Sequence, residues 1–195
     1  MLNDKMIKEI EESLLKTGRE GMGDLLDYMK YSSEFYSSPC SGAHHLACEG
    51  GLAEHSLNVL HAAQKISVPL IGGKNLTKEL QDSIVISALL HDLGKCGQFG
   101  KPGYVPNILK SGKPSTDKPY EVNKALISVP HEVRSVAIAT MFIDLTEEEQ
   151  AAILYHNGLY GCFKYEISGK ETPLYMIIHW ADMWASRVTE KEEKE

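Results

Sequence analysis

The residues of this chain best suited to chemistry stand in apolar or sharply terminated segments: His55, the adjacent pair His91 and Asp92, His131, His156 and Asp182. In "SALLHDLGK" the pair directly follows Ala88, Leu89 and Leu90, where an isolated carboxylate is strongly disfavoured unless it is paired or bound to a cation. The same cost applies to Asp182 within "LYMIIHWADMWASRV". One metal centre answers both costs. Imidazole and carboxylate together suit zinc, iron, manganese and similar ions. Ligands taken from several helices fix such a site without a dedicated loop. Neighbouring helical residues point about 100° apart, so His91 and Asp92 are able to serve two neighbouring ions or bridge them.

These residues need helices to position them, and helical periodicity dominates the chain. Residues 4–16 repeat apolar positions at helical spacing, and residues 21–36 predict a second helix after a glycine break. Residues 50–66 predict a third, ending before Pro69, with Leu52, Val59, Ala62, Ala63 and Ile66 on the stripe that also carries His55. Thr77 caps a fourth over 77–93, with Gly94 as its terminator. From Gly94 to about Val129, glycines and prolines predict a long irregular loop at the mouth of the pocket.

Beyond Pro130, "HEVRSVAIATMFI" predicts a helix that opens on His131, where the N-terminal field favours neutral imidazole. Thr146 and Glu149 have capping-box spacing at the start of the next helix, which Gly158 ends just after His156. The connection 158–171 reads as turns with a short hairpin. Thr172 and Pro173 then open the last helix, and residues 189–195 read as a charged, solvated tail. The expectation is one all-α domain over 1–195, with the helices of 1–35 packed on it.

Composition narrows the partners. A 195-residue chain with 43% hydrophobic and 24% charged residues is an ordinary globular sequence, large enough to bury a core. The net charge of −7 argues against a duplex nucleic acid partner while leaving room for a local pocket holding one phosphate. The four cysteines lack zinc-knuckle spacing. No apolar segment of membrane-spanning length and no secretory leader stand out, so the expected location is cytoplasmic, away from any membrane.

In this order, "GGLAEHS", "ALLHDLGK", "PHEVRS", "ILYHNG" and "WADMWASR" resemble the HD-domain metal-dependent phosphohydrolase superfamily over roughly residues 40–188. The resemblance implies an all-α HD-domain helical bundle with a long loop after the HD motif. It implies that His55, His91, Asp92 and Asp182 ligate metal, that His131 and His156 add a second ion, and that Asp92 bridges the two. One or two divalent transition-metal ions (Fe, Mn, Zn, Co or Ni) would then activate a water for hydrolysis of a phosphate ester. The expected partner is a phosphorylated small molecule of the nucleotide kind. Asp92 and Lys95 are the catalytic candidates.

Lys95, just past the HD pair, is placed to reach a phosphate as a mobile point charge. Arg134 faces either substrate or an acid such as Glu132, and His45 is a candidate lining residue for the substrate. "SPCSGAHHLACEGGLAEHS" is similar to the entry of HD-domain 3′-5′ exoribonucleases, whose N-terminal OB fold this chain lacks room for. Two other functions follow: a 3′-5′ exonuclease or phosphodiesterase on single strands, and a non-catalytic metal- or nucleotide-binding module. His179 is either a support for a ligand or a structural hydrogen-bonding group. His61 and Glu147 to Glu149 read as helix-surface residues, and Tyr155, Tyr160, Phe163 and Tyr165 as packing.

Overall fold

A computed structural model describes residues 4–98 and 100–191. Helix accounts for 56% of the structure and strand for 6%, which makes this an all-α protein. Helix α1 (Asp4–Lys16) turns Ile10 and Leu14 inward against α3 (Gly51–Ile71) and α4 (Lys78–Leu90). Helix α2 (Met22–Asp27) widens into a π-turn over Tyr28–Ser32. The centre is built where α3, α4 and α8 (Pro173–Trp184) pack on one another. Helix α6 (Glu147–Tyr155) lies on α4 and α8, and α5 (His131–Ala139) lies on α6. Buried apolar side chains from Ile10 to Ala185 form one continuous cluster. Each fully buried Leu or Ile in it contributes about 2 kcal/mol of transfer free energy.

The helix starts follow local chemistry. Thr77, Thr146 and Thr172 each accept a hydrogen bond from the backbone N–H three residues on, and Thr146 with Glu149 forms a complete capping box. Glu149 does more than answer the helix dipole. It is fully buried, and its carboxylate accepts from Arg19 Nη1 at 2.9 Å and Nη2 at 2.7 Å, Ser83 Oγ at 2.8 Å and the Thr146 N–H at 2.8 Å. This ties the turn after α1 to the start of α6.

Several boundaries differ from the expectation. Helix α3 runs through Pro69 to Ile71, because the missing N–H falls in the last turn, where only one intrahelical bond is forfeited. Gly94 does not end α4 in a left-handed cap. The helix stops at Leu90, and Leu93–Cys96 continue as a 3-10 turn pressed against α5. A Cβ on Gly94 would stand 2.2 Å from the His131 carbonyl oxygen, so only glycine allows this approach. The Gly94 N–H donates to Ser135 Oγ, which in turn donates to the His131 carbonyl.

The segment after the HD pair is more ordered than an irregular loop. Strand β1 (Gly97–Gln98) pairs antiparallel with β2 (Lys101–Pro102). Strand β3 (Tyr104–Pro106) pairs antiparallel with β4 (Tyr120–Val122), in the register Tyr104 to Val122 and Pro106 to Tyr120. Connection 158–171 forms a 3-10 turn and the short helix α7 (Lys164–Ile167) rather than a hairpin. No described helix is long and apolar enough to cross a membrane.

Candidate metal centre

Two helix C-termini present their histidines in the same way. His91 follows α4 and His156 follows α6, and each ring donates Nδ1–H to the carbonyl three residues back, Ala88 or Ile153, at 2.8 Å. Helix ends leave such carbonyls without partners, so the bond satisfies the backbone and fixes the tautomer at once. Each Nε2 is then a bare lone pair aimed inward. His55, in the second turn of α3, is held differently: its Nδ1 faces both oxygens of Glu190 at 3.0 Å, and its Nε2 lies 3.3 Å from His91 Nε2.

Asp92 lies between two groups of these nitrogens. Its Oδ2 is 3.4 Å from His91 Nε2 and 3.6 Å from His55 Nε2, and Asp182 Oδ1 is 3.2 Å from that same His55 nitrogen. Its Oδ1 faces the other way, 3.1 Å from His131 Nε2 and 3.5 Å from His156 Nε2. Although buried, Oδ1 receives no hydrogen bond. Asn157 Nδ2 donates to Glu132 Oε1 at 2.8 Å and lies 3.0 Å from His156 Nε2 and 3.4 Å from His131 Nε2. His156, whose Nδ1–H is taken by Ile153, presents Nε2 as the acceptor for the second N–H of that amide.

A set of converging lone pairs around an unsatisfied buried oxygen repels itself unless a cation lies among them. Bonds of about 2.1 Å to an ion give ligand-to-ligand separations of about 3.0 to 3.4 Å, the range in which most of these atoms stand. His55, His91 and Asp182 have ligand atoms within 4.8 Å of one another, as do His91, Asp92 and His156. The described residues thus hold buried His and Asp groups positioned to bind a metal. His131 stands at the rim with its side chain 31% exposed, and reaches the cluster through Asp92.

The electrostatics of Asp92, Asp182 and His156 agree with this arrangement. Burial opposes ionisation of Asp92, but Lys95, His91 and His131 outweigh it and hold the carboxyl well below the usual range. Burial acts against Asp182 in the same way, and His55 overrides it, so this carboxyl is also driven down. Burial pushes the His156 imidazolium down to about 3, which keeps the ring neutral at ordinary pH. Burial also disfavours charge on His55. There the Cys40 sulfur and the Asp182 and Glu190 carboxylates prevail and raise its pKa well above ordinary.

The remaining expected residues are placed as follows. Lys95 is not a mobile charge: the 3-10 turn puts it on the face of Asp92, with Nζ 2.6 Å from Oδ2 and 3.8 Å from Cys40 Sγ. His45 stands beside His55 with ring centroids 5.1 Å apart, its Nε2 3.3 Å from Cys40 Sγ. Arg134 is turned away, its Nη2 donating to the Ile127 carbonyl at 3.0 Å. His179 supports the wall, donating Nδ1–H to the His156 carbonyl at 2.7 Å. The bare Cα of Gly158 makes room for its ring, which a Cβ would approach to 2.5 Å.

Glu190 is the residue that sequence reasoning missed. Its place in "TEKEEKE" suggests a solvated end, yet its side chain is 1% exposed and also accepts from Asn58 Nδ2 at 3.0 Å. A π-turn over Ala185–Thr189 follows α8 and carries the chain back over α3. Residues 192–195 of that tail lie outside the described residues. Nothing in the local sequence separates Cys40, Asn58 and Asn157 from ordinary helix and loop positions, and Glu132, expected as an acid for Arg134, instead accepts from Asn157.

The helical fold and this centre define a class no finer than an all-α protein with a buried His/Asp cluster suited to metal. Comparison with family models, curated proteins and solved structures returned no match to this chain.

Proposed function

We propose that this protein is a metal-dependent phosphohydrolase of the HD-domain kind, acting on a phosphate ester of a nucleotide or similar small molecule. The observation that carries the reading is Asp92. Its two oxygens face separate groups of nitrogens, and one of them is buried without a hydrogen bond. His55, His91 and Asp182 would hold one divalent ion with Oδ2, and His131 and His156 a second with Oδ1. Bound there, the ions would lower the pKa of water and offset charge on the phosphoryl oxygens.

The chain's own groups prepare that chemistry. Ala88, Ile153 and Glu190 take the Nδ1 protons of His91, His156 and His55, so each Nε2 is aimed inward in one orientation. Asp92 and Asp182 stay ionised, because their pKa values are held low. Lys95 and an ion at Oδ2 are alternative partners for the same oxygen. With an ion there, the Lys95 ammonium, 17% exposed, would be released to meet a phosphoryl oxygen at the mouth. Elemental analysis joined to hydrolysis of mono- and diester chromogenic substrates, nucleotides and a labelled oligonucleotide tests the reading. Metal-dependent turnover of a small phosphate ester, lost in Asp92→Ala, is expected. Bound metal without turnover of any substrate under several metals would reduce the protein to a binding module, and stepwise shortening of the oligonucleotide would make it an exonuclease.

A further inference from the structure

A second charged pocket lies beside the first turn of α5, and none of its lining residues belongs to the metal cluster. Arg134 is 8% exposed, yet no carboxylate of the described residues stands within ion-pair distance of it. Its guanidinium makes one hydrogen bond, from Nη2 to the Ile127 carbonyl, and its Nε is buried with no acceptor. A cation left in this state is costly, and a ligand that supplies the missing oxygens removes the cost.

Arg134 lines a cavity of about 430 Å³ together with Lys118 and Lys124. The carboxylate among the lining residues is that of Glu121, which Lys124 already pairs at 3.2 Å. Three cationic side chains against one acid leave two positive charges here, in a chain whose net charge is −7. That balance matches a phosphate monoester, which carries about −1.5 to −2 at neutral pH. The planar guanidinium fork suits two of its oxygens. Beside Asn123 and Ser128 the wall carries an apolar stretch: Val122 and Ile127 are 66% and 84% exposed, and Leu126 and Val129 also line the cavity. The occupant therefore has an apolar body behind its phosphate.

We propose that this pocket, between the β3/β4 ribbon and α5, is a binding site for an organic phosphate monoester of the nucleoside monophosphate type. It is separate from the metal centre, because none of its lining residues belongs to the His/Asp cluster. Arg134 and Lys118 hold the phosphate, and Val122, Ile127 and Val129 cover the nucleoside.

The test is titration calorimetry with AMP, inorganic phosphate and adenosine on the full chain carrying Asp92→Asn, in the presence of chelator, so that neither hydrolysis nor metal-bound phosphate contributes. AMP is expected to bind at one site, inorganic phosphate more weakly, and adenosine not at all. Arg134→Gln or Lys118→Gln, each added to Asp92→Asn, weakens AMP about tenfold or more, the scale of one charge-assisted contact. Lys118 is exposed, so Lys118→Glu keeps the test valid if Arg134→Gln impairs folding, and it is expected to abolish binding. Failure of AMP to bind the Asp92→Asn protein, or equal binding with and without Lys118→Glu, overturns the proposal. Either result leaves the reading of the metal centre untouched.

Discussion

Two carboxylates are buried near opposite ends of this helical core, and they are treated in opposite ways. Glu149 accepts four hydrogen bonds, two from Arg19 and one each from Ser83 and the Thr146 backbone, so every lone pair that faces the protein has a donor. Asp92 has Lys95 on one oxygen and only the faces of histidine nitrogens on the other. A buried carboxylate that exists for architecture is satisfied by the chain itself. One that is left short, among lone pairs fixed to point at it, is suited to a ligand the chain does not supply. The difference separates a structural ion pair from a candidate metal centre without reference to any relative.

Substitutions sharpen the contrast, beginning with the largest effect. Asp92→Asn is expected to abolish tight metal binding and phosphate-ester turnover while leaving helix content by circular dichroism intact, since its carboxylate anchors no helix cap. A variant that keeps its metal removes the distinction between the two sites. Glu149→Gln is expected to do the reverse. It leaves metal content unchanged and lowers unfolding free energy in urea by about 1.5 to 3 kcal/mol, the scale of lost charge-assisted hydrogen bonds from the half-buried Arg19.

The same pair has a pH signature. Burial raises the Glu149 carboxyl, but hydrogen bonds from Arg19, Thr146 and Ser83 outweigh it and hold its pKa below the ordinary 4.5. Its contribution is therefore fully present above pH 4.5 and is lost as the pH falls through the lowered value. Glu149→Gln flattens that limb of an acid-denaturation profile, and a profile unchanged by the substitution would contradict the assignment. Smaller again is Glu190→Gln, which weakens the acceptor for His55 Nδ1–H. It is expected to loosen metal by about 10- to 100-fold in competition with a chelator, with little change in melting temperature. Thr146→Ala, which removes one half of the capping box beside Glu149, is expected to cost about 1 kcal/mol in urea unfolding and to spare the metal altogether.

The contrast also explains what was legible in the sequence. His91 and Asp92 stand out because an apolar run ends on them, and Thr77, Thr146 and Thr172 are marked by capping chemistry within a few residues. Local signals of that kind survive in a string of letters. Glu190 is one acid among many in a charged segment, and its burial depends on a π-turn that returns the chain across α3. Arg19 and Glu149 lie 130 residues apart and meet only through the packing of α1, α4 and α6. Pro69 was misleading because its cost depends on its place in the helix: in the last turn of α3 little is lost. Lys95 followed the same logic, since a 3-10 turn rather than a helix end decides which way it points.

The claim that Asp92 divides two metal positions is tested most directly by elemental analysis of metal-replete protein. Two equivalents are predicted for the unmodified chain, one for the His131→Ala, His156→Ala double variant, and none for Asp92→Ala. One equivalent in the unmodified chain, unchanged by the double variant, would contradict the account.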